Sequence, residues 1–144
     1  MAARQKEISE EVNDFYDEIA YLLKEVGDYV RAVKFQANVK NNPEVSWKPE
    51  VQKVYAKYYD GSYAKLESSI RRKKKNCLDA IDLINAYCRD AGVMCVRKPT
   101  KLFELLQGGK RRKFWRSAAE KHRRQNEIVS LQSLEREYRN RNPF

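Results

Sequence analysis

Histidine, cysteine and closely spaced carboxylates are the residues of this chain whose types suit catalysis or metal binding. The four candidate zinc ligands are Cys77, Cys88, Cys95 and His122. Their spacings do not match the short Cys-x2-Cys pairs that hold structural zinc, so buried thiols are the better interpretation. Asp79 and Asp82 lie one helical turn apart, but such a pair is common on helices and serves equally to neutralise nearby lysines. We therefore expect no metal and no cofactor.

His122 is the only histidine, so every mechanism that needs an imidazole must use it. With Arg116 it forms an Arg-x5-His element. This element resembles the motif of HEPN-type helical ribonucleases, and the resemblance implies that Arg116 and His122 act on a scissile phosphate without a metal. Six positions along one regular helix separate two side chains by about 240°, so the motif needs a bend or a helix start between them. The alternative is a solvated histidine among cations.

Positive charge is concentrated in the second half of the chain. The net charge is +10: residues 1–60 carry nine Lys and Arg against eleven Asp and Glu, whereas residues 61–144 carry twenty-one against nine. Within the stretch IRRKKKN, Arg71 lies three positions before Lys74 and four before Lys75. Like charges at these spacings repel one another on a helix. The acidic first helix is one possible partner for these cations. The asymmetry otherwise favours a basic surface that binds a polyanion.

The stretch GGKRRKFWRSAAEKHRRQ is a second basic cluster. If a helix begins near Lys110, its first turn holds cations where the macrodipole disfavours them, and a bound phosphate reverses this preference. Trp115 and Phe114 lie among these cations and either stack on unpaired bases or belong to the core. The predicted nucleic-acid contacts are Arg71, Arg72, Lys73, Lys74, Lys75, Lys110, Arg111, Arg112, Lys113, Trp115, Arg116, Lys121, Arg123 and Arg124.

Hydrophobic periodicity predicts an all-α bundle with three long helices and two short ones. Ser9 caps the first, which ends at residues 41–43, and Pro49 begins the second, which ends near Asp60 and Gly61. The third runs from Ser62 to a cap at Gly92, and an extended linker follows at 93–98. Thr100 caps a short fourth helix closed by Gly108 and Gly109. The last helix is predicted from about Lys110 to Arg139.

Residues 1–144 are expected to form one helical domain, with an acidic half at 1–60 and a basic half at 61–144. The first residues are too polar for a signal peptide, and the apolar runs are too short to span a bilayer. An intracellular protein, cytoplasmic or in the nucleoid or nucleus, is therefore expected. The odd number of widely spaced cysteines agrees with a reducing compartment.

Three classes of function follow from these patterns. The first is a non-catalytic protein that binds RNA or DNA, or a basic accessory subunit of a nucleoprotein complex, and that contacts phosphates through the basic half. The second is a small inhibitor or adaptor that docks on a nucleic-acid-handling enzyme. The third is the metal-independent ribonuclease implied by Arg116 and His122. The acidic first helix then serves packing, protein contacts or self-association, and neither a membrane nor a small-molecule substrate is expected.

Overall fold

The chain folds as a single bundle of α-helices. A computed structural model describes residues 7–59 and 62–142. Within the described residues the fold is 81% helical and contains no strand, as the periodicity predicts. The elements are α1 (Glu10–Asn41), a 3-10 turn (Pro43–Trp47), α2 (Pro49–Tyr58), α3 (Tyr63–Asp90), α4 (Pro99–Leu105), α5 (Gly109–Arg124) and α6 (Leu131–Arg141). Among the described residues, none of these helices combines the length and apolarity that crossing a membrane requires.

The predicted ends of the two longest helices are confirmed. The Ser9 side chain accepts a hydrogen bond from Val12 N, and the Ser62 side chain accepts one from Lys65 N, so both serines are N-caps. Gly92 adopts φ +71° immediately after α3, and Val93 N donates to Cys88 O at 2.9 Å. This is a Schellman motif, which needs the left-handed conformation that glycine adopts without strain.

The start of α4 differs from the prediction. Pro99 is its first residue, so Lys98 rather than Thr100 occupies the N-cap position. Proline suits this position because its ring fixes a helical φ and its missing N–H is not needed there. The predicted role of the two glycines is also wrong, because Gly108 is the N-cap of α5 and Gly109 is its first residue.

The long last helix predicted from Lys110 to Arg139 is two helices. α5 ends at Arg124, where Asn126 takes φ 55° and Glu127 N donates to His122 O, forming a second Schellman motif. Ser130 then caps α6 by accepting from Ser133 N. The Asn126 side chain also accepts a hydrogen bond from Ser9 N at 2.8 Å, which joins this turn to the start of α1. The described residues therefore form six α-helices rather than the five expected.

The main core lies where α1 packs along α3 and α5. α5 runs antiparallel to α1, since Arg123 contacts Asn13 and Arg112 lies beside Gly27. The largest fully buried side chains of this core come from four helices and from the C-cap residue of α4, and they are Phe15, Ile19, Leu22, Leu23, Val26, Ile81, Ile84, Leu106, Trp115, Leu131 and Leu134. The core therefore joins both ends of the chain and fixes α5 and α6 against α1.

A second apolar cluster lies at the end of α1 and involves α2. Tyr55 and Tyr59 are buried there against Phe35, with ring centroids 5.1 and 5.5 Å away, whereas Tyr58 is 60% exposed. The predicted end of α2 near Asp60 and Gly61 lies outside the described residues; the helix itself ends at Tyr58. Tyr55 and Tyr59 thus belong to this second cluster, whereas Tyr58 faces solvent.

Replacing Gly27 with alanine is expected to stabilise the protein. Gly27 is buried inside α1, and a Cβ built there meets Arg112 Nε at 3.6 Å, an ordinary van der Waals distance. Alanine is favoured over glycine in a helix interior by about 1 kcal/mol, so Gly27→Ala should raise the free energy of unfolding by up to about that amount. Urea denaturation followed by circular dichroism measures this change, and a loss of stability would show that a methyl group at position 27 clashes with α5.

Candidate nucleic-acid interface

The basic run of α3 faces solvent for most of its length. Arg71, Arg72 and Lys74 are exposed, and among residues 7–59 and 62–142 they have no carboxylate within 4.0 Å. Lys75 pairs with Asp79 at 3.0 Å, an exposed contact that contributes little to stability. Lys73 is half-buried and lines a cleft between α1, α2 and α3. Three of the five predicted contacts on α3 are therefore free to bind a phosphate.

Two arginines at the start of α5 bind the end of α4 instead of projecting into solvent. Arg111 donates to Leu105 O at 3.2 Å, and Arg112 donates to Leu106 O at 3.0 Å and to Gln107 O at 2.7 Å. Cations are favourable at a helix C-terminus, where carbonyl groups lack partners within the helix. Their repulsion by the α5 macrodipole is thus offset by the neighbouring helix, which the local sequence does not reveal.

Arg111 is also held by α6. Its Nε lies 3.0 Å from Glu135 Oε1, and its guanidinium lies 4.6 Å from the centre of the Tyr138 ring. Only 22% of the Arg111 side chain and 9% of the Glu135 side chain are exposed. The expectation that Arg111 is a solvent-facing phosphate contact is therefore wrong, because its charge is matched inside the α4–α5–α6 junction.

The stacking role predicted for Trp115 is wrong as well. Trp115 is 0% exposed and belongs to the main core, so a nucleic-acid base cannot reach its ring. Its neighbour Phe114 points the other way, toward α6, and is half-buried. Phe114 meets Tyr138 edge to face at 5.6 Å, and the Arg141 guanidinium lies 5.7 Å from its ring centre. Of the two aromatic residues, Phe114 is the one beside the basic surface.

An open groove of about 590 Å³ lies between α5 and α6. We call it the α5–α6 groove. Its cations are Lys110, Lys113, Lys121 and Arg141, and Phe114, Ser117, Tyr138, Asn140 and Asn142 supply aromatic and hydrogen-bonding groups. Glu137 is the one carboxylate along this lining. Its oxygens contact His122 at 3.2 Å and Lys121 at 3.9 Å. The α5–α6 groove is thus positively charged overall and includes three of the predicted contacts.

A second groove, of about 400 Å³, lies on the other side of α6, against α4 and the 93–98 linker. We call it the α4–α6 groove. Its cations are Arg97, Lys98, Lys101, Arg136 and Arg139, and its apolar floor is Val96, Leu102, Leu105 and Leu131. Sequence reasoning did not select these five cations. They occur singly or in pairs in the sequence and come together only when α6 folds back beside α4.

His122 is buried rather than solvated, so the alternative interpretation of a histidine among cations in water is wrong. It is 9% exposed, and its Nδ1 lies 2.8 Å from Glu127 Oε1 while its Nε2 lies 3.2 Å from Glu137 Oε1. An imidazole contacted by carboxylates on both nitrogens joins α5 to the 125–130 turn and to α6. α5 is continuous from Arg116 to His122, so the bend that the Arg-x5-His motif needs between them is missing from this described helix.

Arg123 and Arg124 are both engaged by Glu120. Arg123 donates to both carboxylate oxygens of Glu120 and to Asn13 Oδ1, and Arg124 Nε lies 3.3 Å from Glu120 Oε1. The hydrogen bond from Arg123 lowers the pKa of Glu120, which keeps this carboxyl ionised. Arg123 is thus directed toward α1. Arg124 remains 74% exposed and can still contact a phosphate.

The carboxylates at the start of α1 do not neutralise the basic surfaces. Within the described part of the chain, none of the following forms an ion pair within 4.0 Å: Glu10, Glu11, Asp14, Asp17 and Glu18. The sequence left open whether the acidic first helix pairs with the cations downstream, and the structure does not pair them. The excess positive charge around α6 and on α3 is therefore available to an external anion.

Two of the three cysteines, Cys77 and Cys88, are buried in the main core. Burial raises the pKa of Cys77 to about 12 and that of Cys88 to about 11, so both stay protonated at neutral pH and are poor nucleophiles and poor metal ligands. Cys95 Sγ lies 3.5 Å from Asn85 O in the linker region. Among the described residues, no group of three or more His, Cys, Asp or Glu is arranged to hold a metal ion.

Comparisons of the chain with protein-family models, with curated proteins and with solved structures give no match. The function is therefore inferred from the charge and geometry of the chain itself.

Proposed function

We propose that this chain is a non-catalytic nucleic-acid-binding protein that contacts phosphates through its basic half, chiefly through the two grooves beside α6. The observation that supports this most directly is the convergence of nine cations on the two sides of one helix. They are Arg97, Lys98, Lys101, Lys110, Lys113, Lys121, Arg136, Arg139 and Arg141. Such a surface lowers its own electrostatic free energy when a polyanion displaces small counterions.

The composition of the α5–α6 groove supports a ligand with bases as well as phosphates. Phe114 and Tyr138 form an aromatic pair that lines this groove together with Lys110, Lys113 and Arg141. Base stacking on aromatic side chains contributes about 1 to 3 kcal/mol for each base, and it requires bases that are not paired. We therefore favour single-stranded nucleic acid. The exposed α3 cations Arg71, Arg72 and Lys74 provide further phosphate contacts outside the grooves.

Binding of fluorescent single-stranded RNA and DNA oligonucleotides across a salt series tests the proposal. The affinity should fall by about 0.7 log units per log unit of salt for each phosphate neutralised. A Lys101→Ala/Arg136→Ala/Arg139→Ala variant should weaken binding at least tenfold and reduce this slope by about 2, because three phosphate contacts are lost.

The matched control is Lys34→Ala/Lys53→Ala/Lys65→Ala, which removes the same charge from exposed positions on α1, α2 and α3. Its effect should be much smaller than that of the groove variant. Equal effects of the two variants would mean that the grooves are not the binding surface. Absence of binding at low salt would instead favour an inhibitor or adaptor that docks on another protein.

A further inference from the structure

The guanidinium groups of Arg31 and Arg112 meet where α5 crosses the middle of α1, on the face of α5 opposite the α5–α6 groove. Gly27 has no side chain, so both guanidinium groups can approach the backbone of α1 there. Arg112 Nε lies 3.6 Å and Arg31 Nη1 lies 3.7 Å from the position of a Cβ built on Gly27. Arg116 follows Arg112 by one helical turn and is exposed. Two helices thus bring like charges together at one point of the surface.

Arg112 is fixed in place but only partly hydrogen-bonded. Its Nη1 donates to Leu106 O and Gln107 O. A guanidinium carries five N–H donors, and those on Nε and Nη2 have no acceptor among the described residues. Nε faces Gly27, and Nη2 lies 3.8 Å from the position of a Cβ built on Gly109. The guanidinium is therefore held in place by its Nη1 hydrogen bonds, while the N–H groups on Nε and Nη2 remain uncommitted.

The carboxylates around this crossing do not balance its charge. Arg31 pairs with Asp28 and its side chain remains 70% exposed. Glu120 already forms ion pairs with Arg123 and Arg124. Arg116 has no carboxylate within 4.0 Å among the described residues. Burial, together with the charges of Arg116 and Arg31, lowers the pKa of Arg112, as expected where cations crowd without an anion.

We propose that Arg31, Arg112 and Arg116 form a binding site for one phosphate group. Charge-assisted hydrogen bonds of about 2.8 Å to two oxygens of a single phosphate join nitrogens up to about 8 Å apart. The two short distances to the Gly27 position keep Arg31 and Arg112 within that span. A phosphate at the crossing meets planar donors from both helices and removes the repulsion between them. The site deepens the proposed function and depends on it only for the source of the phosphate, a nucleic-acid backbone.

Inorganic phosphate, titrated at constant ionic strength against ¹⁵N-labelled protein, tests the site separately from oligonucleotide binding. The Arg112 Nε–Hε signal, assigned by its loss in Arg112→Lys, should shift saturably. Arg31→Ala and Arg116→Ala, which remove exposed side chains and leave α4 capped, should each weaken phosphate binding by about tenfold. Lys34→Ala, an exposed position elsewhere on α1, should leave the phosphate affinity unchanged.

An unsaturable shift in the wild-type protein overturns the proposal, and so does equal phosphate affinity in the Arg31→Ala/Arg116→Ala variant. An oligonucleotide that shifts the same Arg112 signal and competes with phosphate identifies the nucleic-acid backbone as the source. If phosphate binds but the oligonucleotide leaves this signal unchanged, the nucleic-acid source is wrong and a small phosphorylated compound takes its place. Oligonucleotide binding by the grooves beside α6 is tested independently with the Lys101→Ala/Arg136→Ala/Arg139→Ala variant.

Discussion

Replacing Trp115 with alanine is expected to lower the free energy of unfolding by about 3 to 5 kcal/mol, the range for removing a large aromatic side chain from a core. Trp115 is fully buried in the cluster that joins α1, α3, α4, α5 and α6. The cavity left by the indole cannot close without moving α5, which carries part of the basic surface. Urea denaturation monitored by circular dichroism measures the loss.

Trp115→Phe is the matched control. The Trp115 Nε1 is buried and has no hydrogen-bond partner among the described residues, so phenylalanine removes an unpaired donor while keeping an aromatic ring. Trp115→Phe should therefore lower the free energy of unfolding by much less than Trp115→Ala does. A surface stacking residue behaves differently: alanine would leave stability nearly unchanged and reduce oligonucleotide binding. That pattern would contradict the burial of Trp115.

The first and third helices could be predicted from sequence because their signals are local. Ser9 followed by an apolar stripe at three- and four-residue spacing defines α1, and Ser62 and Gly92 define the ends of α3. Each signal reports a backbone hydrogen bond that a nearby residue satisfies. The all-α class follows from the same patterns, so composition and periodicity were sufficient for the fold class.

The break between α5 and α6 could not be placed because its signals are weak and compete with strong helix formers. Asn126 adopts the left-handed conformation less readily than glycine, and Ser130 is one of many serines in the chain. What stabilises the turn is non-local. Ser9 N donates to the Asn126 side chain, and Tyr16 Oη donates to Glu127 O at 2.7 Å, so residues more than a hundred positions away fix it.

The basic half of the chain was evident from sequence, but the accessible cations within it were not. Consecutive cations project in all directions around a helix, so some of them must meet neighbouring elements. Arg111 and Arg112 bind carbonyl groups of α4, while isolated residues such as Lys101 and Arg136 are brought together in a groove. Charge runs therefore identified the basic half of the chain but not its accessible cations, which depend on how α6 packs.

The ion pair between Arg111 and Glu135 is expected to hold α6 in place. Glu135→Leu should destabilise the protein by about 3 kcal/mol, the lower end for breaking a buried pair, because Arg111 keeps some exposure. Arg111→Met should cost more, about 3 to 5 kcal/mol, since it leaves the buried Glu135 carboxylate with only the exposed Arg139, 3.6 Å away. Urea denaturation of both variants measures these losses.

The double variant Arg111→Met/Glu135→Leu separates packing from ligand contact. Replacing both charges with apolar groups of similar volume is often neutral. The double variant should therefore lose much less stability than the sum of the losses in the two single variants. Because the Arg111 charge is matched by Glu135 and not directed at solvent, this variant should bind single-stranded oligonucleotides with nearly the wild-type affinity. Additive destabilisation would contradict the pairing. A stable double variant that no longer binds oligonucleotides would instead identify Arg111 as a phosphate contact. The interface would then lie at the α4–α5–α6 junction and not in the grooves beside it.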